Sequence, residues 1–221
     1  MCGRYTLKAP RDAIAEVFDL ADVPPLLPRY NIAPTQPVPV VRLDPASGER
    51  GLALLQWGLI PSWADDPAIG NRLINARAET VAEKPAFRTA FQKRRCLVVA
   101  DGFYEWKRED GKTPYYFRLK DENPFAFAGL WERWEKGDEP VESCTLITCA
   151  ANGVVGAVHN RMPVILKPED YARWLDTERP QSEALMRLLA PLPDDWLSVH
   201  PVGKLVNNPR NEDPRCIERV A

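Results

Sequence analysis

Cys2 is the first residue whose chemistry stands out. Methionine aminopeptidase trims an initiator methionine when the second residue is small. With Met1 removed, the chain opens on an α-amine and a thiol carried by adjacent carbons. The unperturbed amine titrates near ~7.7–8.0 and is partly neutral at pH 7; the thiol, near ~8.5, is the stronger nucleophile once ionised. Such a 1,2-aminothiol condenses with an aldehyde to an imine, and its sulfur then closes a five-membered thiazolidine. Cys2 taken alone also suits an inert terminus.

Four polar clusters accompany it. RYNIAPTQ (29–36) places Asn31 and Thr35 around Pro34, a turn-type segment with free polar side chains. LINARAET (73–80) carries Asn75, Arg77 and Glu79 at spacing two, which extended backbone turns to one face. By itself Asn75 reads equally as a turn former or a sheet-edge residue. ADGFYEWK (100–107) ends an apolar strand with Asp101, Glu105 and Trp106. Counting in twos from Val99 puts Asp101, Phe103 and Glu105 on one face, which suits a pocket lip or a solvated surface. VHNRMPVIL (158–166) sets His159 and Arg161 just before an apolar strand. His159, with His200 one of two histidines, reads as a general acid–base or as a satisfied structural ring. Trp63, in the Pro- and Asp-flanked IPSWAD, reads as core or as a base-stacking side chain.

The elements that must position these groups are mostly strands. β-Branched and aromatic runs bounded by Gly, Pro, Asp or Asn predict strands at 37–43, 51–57, 96–106, 115–119, 125–131, 144–150, 162–166 and 196–202. Helical spacing predicts helices over 11–20, 85–94, 168–177 and 181–190. The third has Pro168 at its first position and acids in its first turn. Strands do not alternate regularly with helices, so a mostly antiparallel α+β domain fits better than a βαβ fold. The 22 prolines punctuate the whole chain and mark no linker, so 1–221 is expected to be a single domain.

The bulk numbers exclude more than they identify. With 45% apolar and 27% charged residues, 221 residues can bury a core without staples. No apolar run approaches the ~20 residues of a membrane span, and MCGRYTLKAP lacks the apolar stretch of a signal peptide. A cytosolic protein is expected. Five cysteines without framework spacing argue against a disulfide scaffold. Cys144 and Cys149, in CTLITCA, read as buried strand cysteines, because no second pair or nearby histidine completes a zinc site. No metal or cofactor is expected. The net charge is −2, yet residues 1–120 carry +4 and residues 121–221 carry −6. That asymmetry allows a local groove for an anionic ligand, or arises by chance.

Six motifs in order, MCGRY, RYNIAPTQ, WGLIPSW, INARAET, ADGFYEW and HNRMPVIL, resemble the SRAP family (SOS-response-associated peptidases, or abasic-site processing proteins). HPV at 200–202 and VNNP at 206–209 resemble the family's C-terminal segment, so the likeness covers nearly the whole chain. The resemblance implies one α+β domain around a curved, barrel-like sheet. It implies a catalytic Cys2 with Met1 absent, together with Asn75, Glu105 and His159. It implies Arg4, Asn31, Arg77 and Arg161 along a groove for single-stranded DNA containing abasic sites, with which the family forms a thiazolidine. Some members carry adjacent tryptophans that wedge into the DNA; here Trp63 is followed by Ala64, which leaves a single aromatic. A monomer is expected, nucleoid-associated on damage.

Two other functions use subsets of the same residues. Cys2 would serve as the N-terminal nucleophile of an amidohydrolase or peptidase, with Asn75 supplying an oxyanion contact. Arg77, Arg161 and Trp63 would serve a non-catalytic single-strand binding module. Only covalent aldehyde capture uses the amine, thiol, acid and histidine together.

Overall fold

The computed structural model describes residues 2–107, 112–178 and 182–220. Met1, and residue 181 of the expected 181–190 helix, lie outside them. The first half runs β1 (Tyr5–Leu7), α1 (Arg11–Phe18), β2 (Arg29–Ile32), β3 (Pro37–Leu43), β4 (Arg50–Trp57), β5 (Asn75–Arg77), α2 (Arg88–Lys93), β6 (Arg95–Ala100) and β7 (Gly102–Lys107). The second runs β8 (Thr113–Leu119), β9 (Phe125–Trp134), β10 (Val141–Ala150), α3 (Gly153–Gly156), β11 (Arg161–Pro163), β12 (Ile165–Leu166), α4 (Tyr171–Leu175), α5 (Ser182–Leu188) and β13 (Leu197–Pro201).

Five strands close on themselves. β4, β3, β6, β9 and β10 follow one another by antiparallel pairing, and β10 returns to β4 in parallel. This mixed barrel is the curved sheet that the resemblance implies, within the α+β class expected from the strand count. β6 buries all six of its residues, because the barrel fills one side of it and α2 and α4 pack against it. Pro37 and Pro39 sit in the part of β3 that β6 does not reach, where a missing N–H costs no ladder bond on that side.

A second sheet, in the order β13–β8–β7–β1–β2, is antiparallel throughout. The run read as one strand over 96–106 is therefore two strands in two sheets. The break falls at Asp101, whose buried carboxylate accepts from Thr6 Oγ1 at 2.6 Å and from the backbone N–H of Lys8 and Ala9. Gly102 follows because a Cβ there would stand 2.2 Å from the Tyr116 hydroxyl. The break corrects the expected shared face of Val99, Asp101, Phe103 and Glu105, since the strand does not continue through Asp101.

The short strands β1, β2 and β5 were not expected. Each is three or four residues long, too short to show a periodicity of its own. RYNIAPTQ is accordingly half strand, and residues 33–36 turn, with Thr35 at φ 72°.

Candidate active site

The site is assembled where the two sheets meet. Tyr5 pairs with Phe103 and Thr6 with Gly102. Tyr104 N–H donates to Arg4 O at 3.0 Å, so the β1–β7 register carries Cys2 alongside the Glu105 end of β7. Asp101 fixes this register from beneath by gripping Thr6, Lys8 and Ala9. From the barrel side, β5 lies parallel to β10, with Leu146 opposite Asn75. Asn75 Nδ2 donates to Cys2 O at 2.8 Å, which joins barrel to second sheet at the cysteine itself. Asn75 Oδ1 is buried and has no hydrogen-bond partner among the described residues.

His159 arrives from the turn after α3, where its N–H donates to Val155 O at 2.8 Å. Its ring is 10% exposed, and Nδ1 stands 3.9 Å from Glu105 Oε2, an ion-pair distance longer than a hydrogen bond. Nδ1 also lies 3.1 Å from both the N and the O of Arg161, so the ring tautomer decides which of these it engages. Glu105 is 3% exposed and Cys2 is fully buried. Burial pushes the Cys2 thiol far up, and the Glu105 charge adds to that shift. Burial thus favours the neutral thiol, with the Glu105 carboxylate near enough for its charge to act on the sulfur.

Arg161 and Arg77 converge on Thr148. Arg77 is its partner in the β5–β10 register, and Arg161 Nη2 donates to Thr148 O at 2.6 Å. Arg77 is exposed. The strand ends at Arg77, however, and a 3₁₀ turn over Ala78–Thr80 follows. Glu79 therefore does not continue the Asn75–Arg77 face but turns to grip Arg161 with both carboxylate oxygens. Thr148 is not legible in the sequence as a site residue, because it lies inside the mostly apolar, cysteine-bearing run CTLITCA.

The other expected groove residues divide. Arg4 is half-buried: Nη1 donates to Asn31 Oδ1 at 2.8 Å and to Val206 O at 2.7 Å, and the guanidinium lies 5.8 Å from the Trp106 ring centroid. Asn31 is 0% exposed, and its Nδ2 is shared among the carbonyls of Val206, Asn208 and Asn211. Its amide thus straps the C-terminal segment over Arg4 and has no surface to offer a ligand. Trp63 is 54% exposed, in a loop held by Trp134 Nε1 on Ala64 O at 2.7 Å and by Lys136 Nζ on Trp63 O at 2.8 Å. It is displayed on a braced loop, not packed in the core.

The remaining candidates are structural. Cys144 and Cys149 are buried in β10 as read from the sequence, and His200 Nε2 lies 2.8 Å from Ile217 O. Among the described residues, no group of three or more His, Cys, Asp or Glu side chains is placed to hold a metal ion, and no helix is long and apolar enough to cross a membrane.

The chain is similar to known proteins over its whole length. It is 43% identical over 224 residues to the abasic site processing protein YoqW of Bacillus subtilis (strain 168), covering 99% of each. It is 34% identical to the abasic site processing protein HMCES of Xenopus tropicalis, over 87% of this chain and 66% of that one. A crystal structure of a protein from Bacteroides thetaiotaomicron superposes with a TM-score of 0.88 at 28% identity, covering 100% of both chains. Residues 1–209 match the family described as SOS response associated peptidase (SRAP), and the chain belongs to that family.

Proposed function

We propose that this chain captures the ring-opened aldehyde of an abasic site in single-stranded DNA as a thiazolidine on Cys2. The reading carries over to this chain what the names of YoqW and HMCES say of those proteins. The observation that supports it most is a linked set: Asn75 bonds to Cys2, the Glu105 charge acts on the Cys2 thiol, and His159 stands 3.9 Å from Glu105. The unpartnered, buried Asn75 Oδ1 is an acceptor suited to an α-amine, which Cys2 has once the Met1–Cys2 bond is cut.

The steps follow from the groups present. Glu105 takes the anomeric hydroxyl proton as the C1′–O4′ bond breaks, and His159 returns a proton to O4′. The neutral amine attacks C1′ and water leaves, giving an imine. The Cys2 sulfur then adds to C1′ and its proton ends on nitrogen, so the net loss is one water. Ring closure removes the imine that would otherwise drive β-elimination and strand cleavage, and this shields the strand. Arg77 and Arg161 hold flanking phosphates, Trp63 stacks on a base, and Arg4 lines the groove beside Trp106. Asn31 acts in this scheme by holding Arg4. Every group used lies on one chain, so the mechanism works in a cytosolic monomer without metal or cofactor.

An N-terminal-nucleophile peptidase is the alternative chemistry for the same cysteine. It would use as oxyanion donor the Asn75 Nδ2 proton not given to Cys2 O, and a peptide-hydrolysis assay on the Met1-free protein separates it from aldehyde capture. The deciding experiment incubates Met1-free protein with uracil-excised single-stranded DNA on a denaturing gel. Cys2→Ala is expected to abolish the SDS-stable adduct while leaving weak strand binding; an undiminished adduct refutes the cysteine's role.

A further inference from the structure

Arg161 is occupied. Its Nη1 and Nη2 grip the two carboxylate oxygens of Glu79, the latter at 3.0 Å, while Nη2 also reaches Thr148 O at 2.6 Å. The Arg161 side chain is 19% exposed and the Glu79 side chain 52% exposed, so the carboxylate lies on the solvent side of the pair. Carboxylate and phosphate offer a guanidinium the same two-oxygen geometry. The 3₁₀ turn at Ala78–Thr80 brings the carboxylate there, where a continued strand would have carried it elsewhere. The hydrogen bond from Arg161 holds the Glu79 carboxyl below its ordinary range, and the charge of Arg77 contributes in the same direction. Glu79 thus binds one of the two arginines proposed for the DNA backbone and feels the charge of the other.

We propose that Glu79 is an internal phosphate mimic, which keeps Arg161 oriented in the free protein and must yield to a backbone phosphate when DNA binds. Thr148 O keeps its hold on Nη2 during the exchange, so the arginine stays aimed while its anion changes. One anion replaces another, and the strand gains only the difference. Glu79 therefore sets how weakly undamaged strand is held and how strongly that binding depends on salt. This inference rests on the reading of Arg161 as a backbone contact.

The test measures binding of an intact, undamaged single-stranded oligonucleotide by anisotropy across a salt series. The proteins are the unaltered chain, Glu79→Gln, Arg161→Gln, the double variant, and Glu83→Gln as an exposed control for net charge. Crosslinking to an abasic oligonucleotide is run in parallel. Glu79→Gln is expected to bind roughly 3- to 10-fold tighter at low salt, with a log–log salt slope steeper by about 0.7. The gain vanishes in the Arg161→Gln background, and Glu83→Gln changes affinity less than about twofold. Unchanged or weaker binding by Glu79→Gln overturns the inference and makes Glu79 a bystander or a prop. If the unaltered chain still crosslinks in that case, only this inference falls; if it neither binds nor crosslinks, the reading beneath it falls too.

Discussion

Asn75 Nδ2 donates to the carbonyl oxygen of Cys2 at 2.8 Å across 73 residues of sequence. The bond pins the backbone of the proposed nucleophile to the barrel, and Asn75 Oδ1 is buried with no hydrogen-bond partner among the described residues. In the proposed mechanism this one side chain has two hydrogen-bonding roles, one holding the Cys2 backbone and one toward the amine.

Asn75→Ala is accordingly expected to slow crosslinking by about 10- to 100-fold, the equivalent of one or two lost buried hydrogen bonds. Single-turnover adduct formation on Met1-free protein checks this. A rate within twofold of the unaltered chain would leave Asn75 a purely architectural residue.

Glu105→Gln keeps shape and removes charge. Two effects oppose each other. The variant loses its proton acceptor, which is expected to slow crosslinking about 100-fold or more at neutral pH. The Cys2 thiol is raised by burial first and by Glu105 second, so removing that charge lets its pKa fall. The thiolate fraction is then larger than in the unaltered chain by a constant factor at any pH well below both values, which offsets part of the deficit without changing it between pH 7 and pH 9. A rate–pH series of both proteins reads this directly, and parallel profiles with equal rates remove Glu105 from the mechanism.

Asn31→Ala tests a division of labour. Asn31 is fully buried and shared among three carbonyls of the C-terminal segment, so its loss should cost about 2–4 kcal/mol of stability and open residues 204–217 to protease. Denaturant unfolding and limited proteolysis measure both. Undiminished stability with lost DNA binding would instead make Asn31 a direct contact.

The buried cysteines make a pH prediction for the fold. Burial pushes the thiols of Cys96 and Cys144 far above their ordinary 9.0. Below that value folded and unfolded chains hold the same thiol protons. Above it the unfolded chain releases protons that the folded chain keeps, so stability is retained through neutrality and falls as pH rises. The fall is at most about 1.4 kcal/mol per pH unit for each thiol. Urea unfolding at pH 8 and pH 10 should show it, and equal midpoints would contradict the burial of these groups as free thiols.

Much of this molecule is legible in its sequence where patterns are long. PVPVVRL predicts β3 at its observed limits, Pro37–Leu43, because seven residues suffice to show strand character. The break at Asp101 is not legible, since CLVVADGFYEW reads as one apolar run, and it takes the Asp101 contacts with Thr6, Lys8 and Ala9 and the Tyr116 ring against Gly102 to account for it. The cluster residues Cys2, Asn75, Glu105 and His159 stand out as polar types beside strands and turns. Their meeting does not, because it depends on pairings such as Tyr5 with Phe103 and Asn75 with Leu146, which link distant segments. Glu79 shows the limit most clearly: spacing of two places it with Asn75 and Arg77, but a single 3₁₀ turn sends it to Arg161.

The most direct test of the central claim is the chemical identity of the adduct. Met1-free protein is reacted with uracil-excised single-stranded DNA, digested with trypsin and nuclease, and its Cys2–Arg4 peptide weighed with and without prior borohydride. The account predicts an adduct on Cys2 equal to the sum of the two partners less one water, unchanged by borohydride because no imine remains. An adduct on another residue, one whose mass rises by two hydrogens on reduction, or one formed equally by chains that still carry Met1 would contradict it.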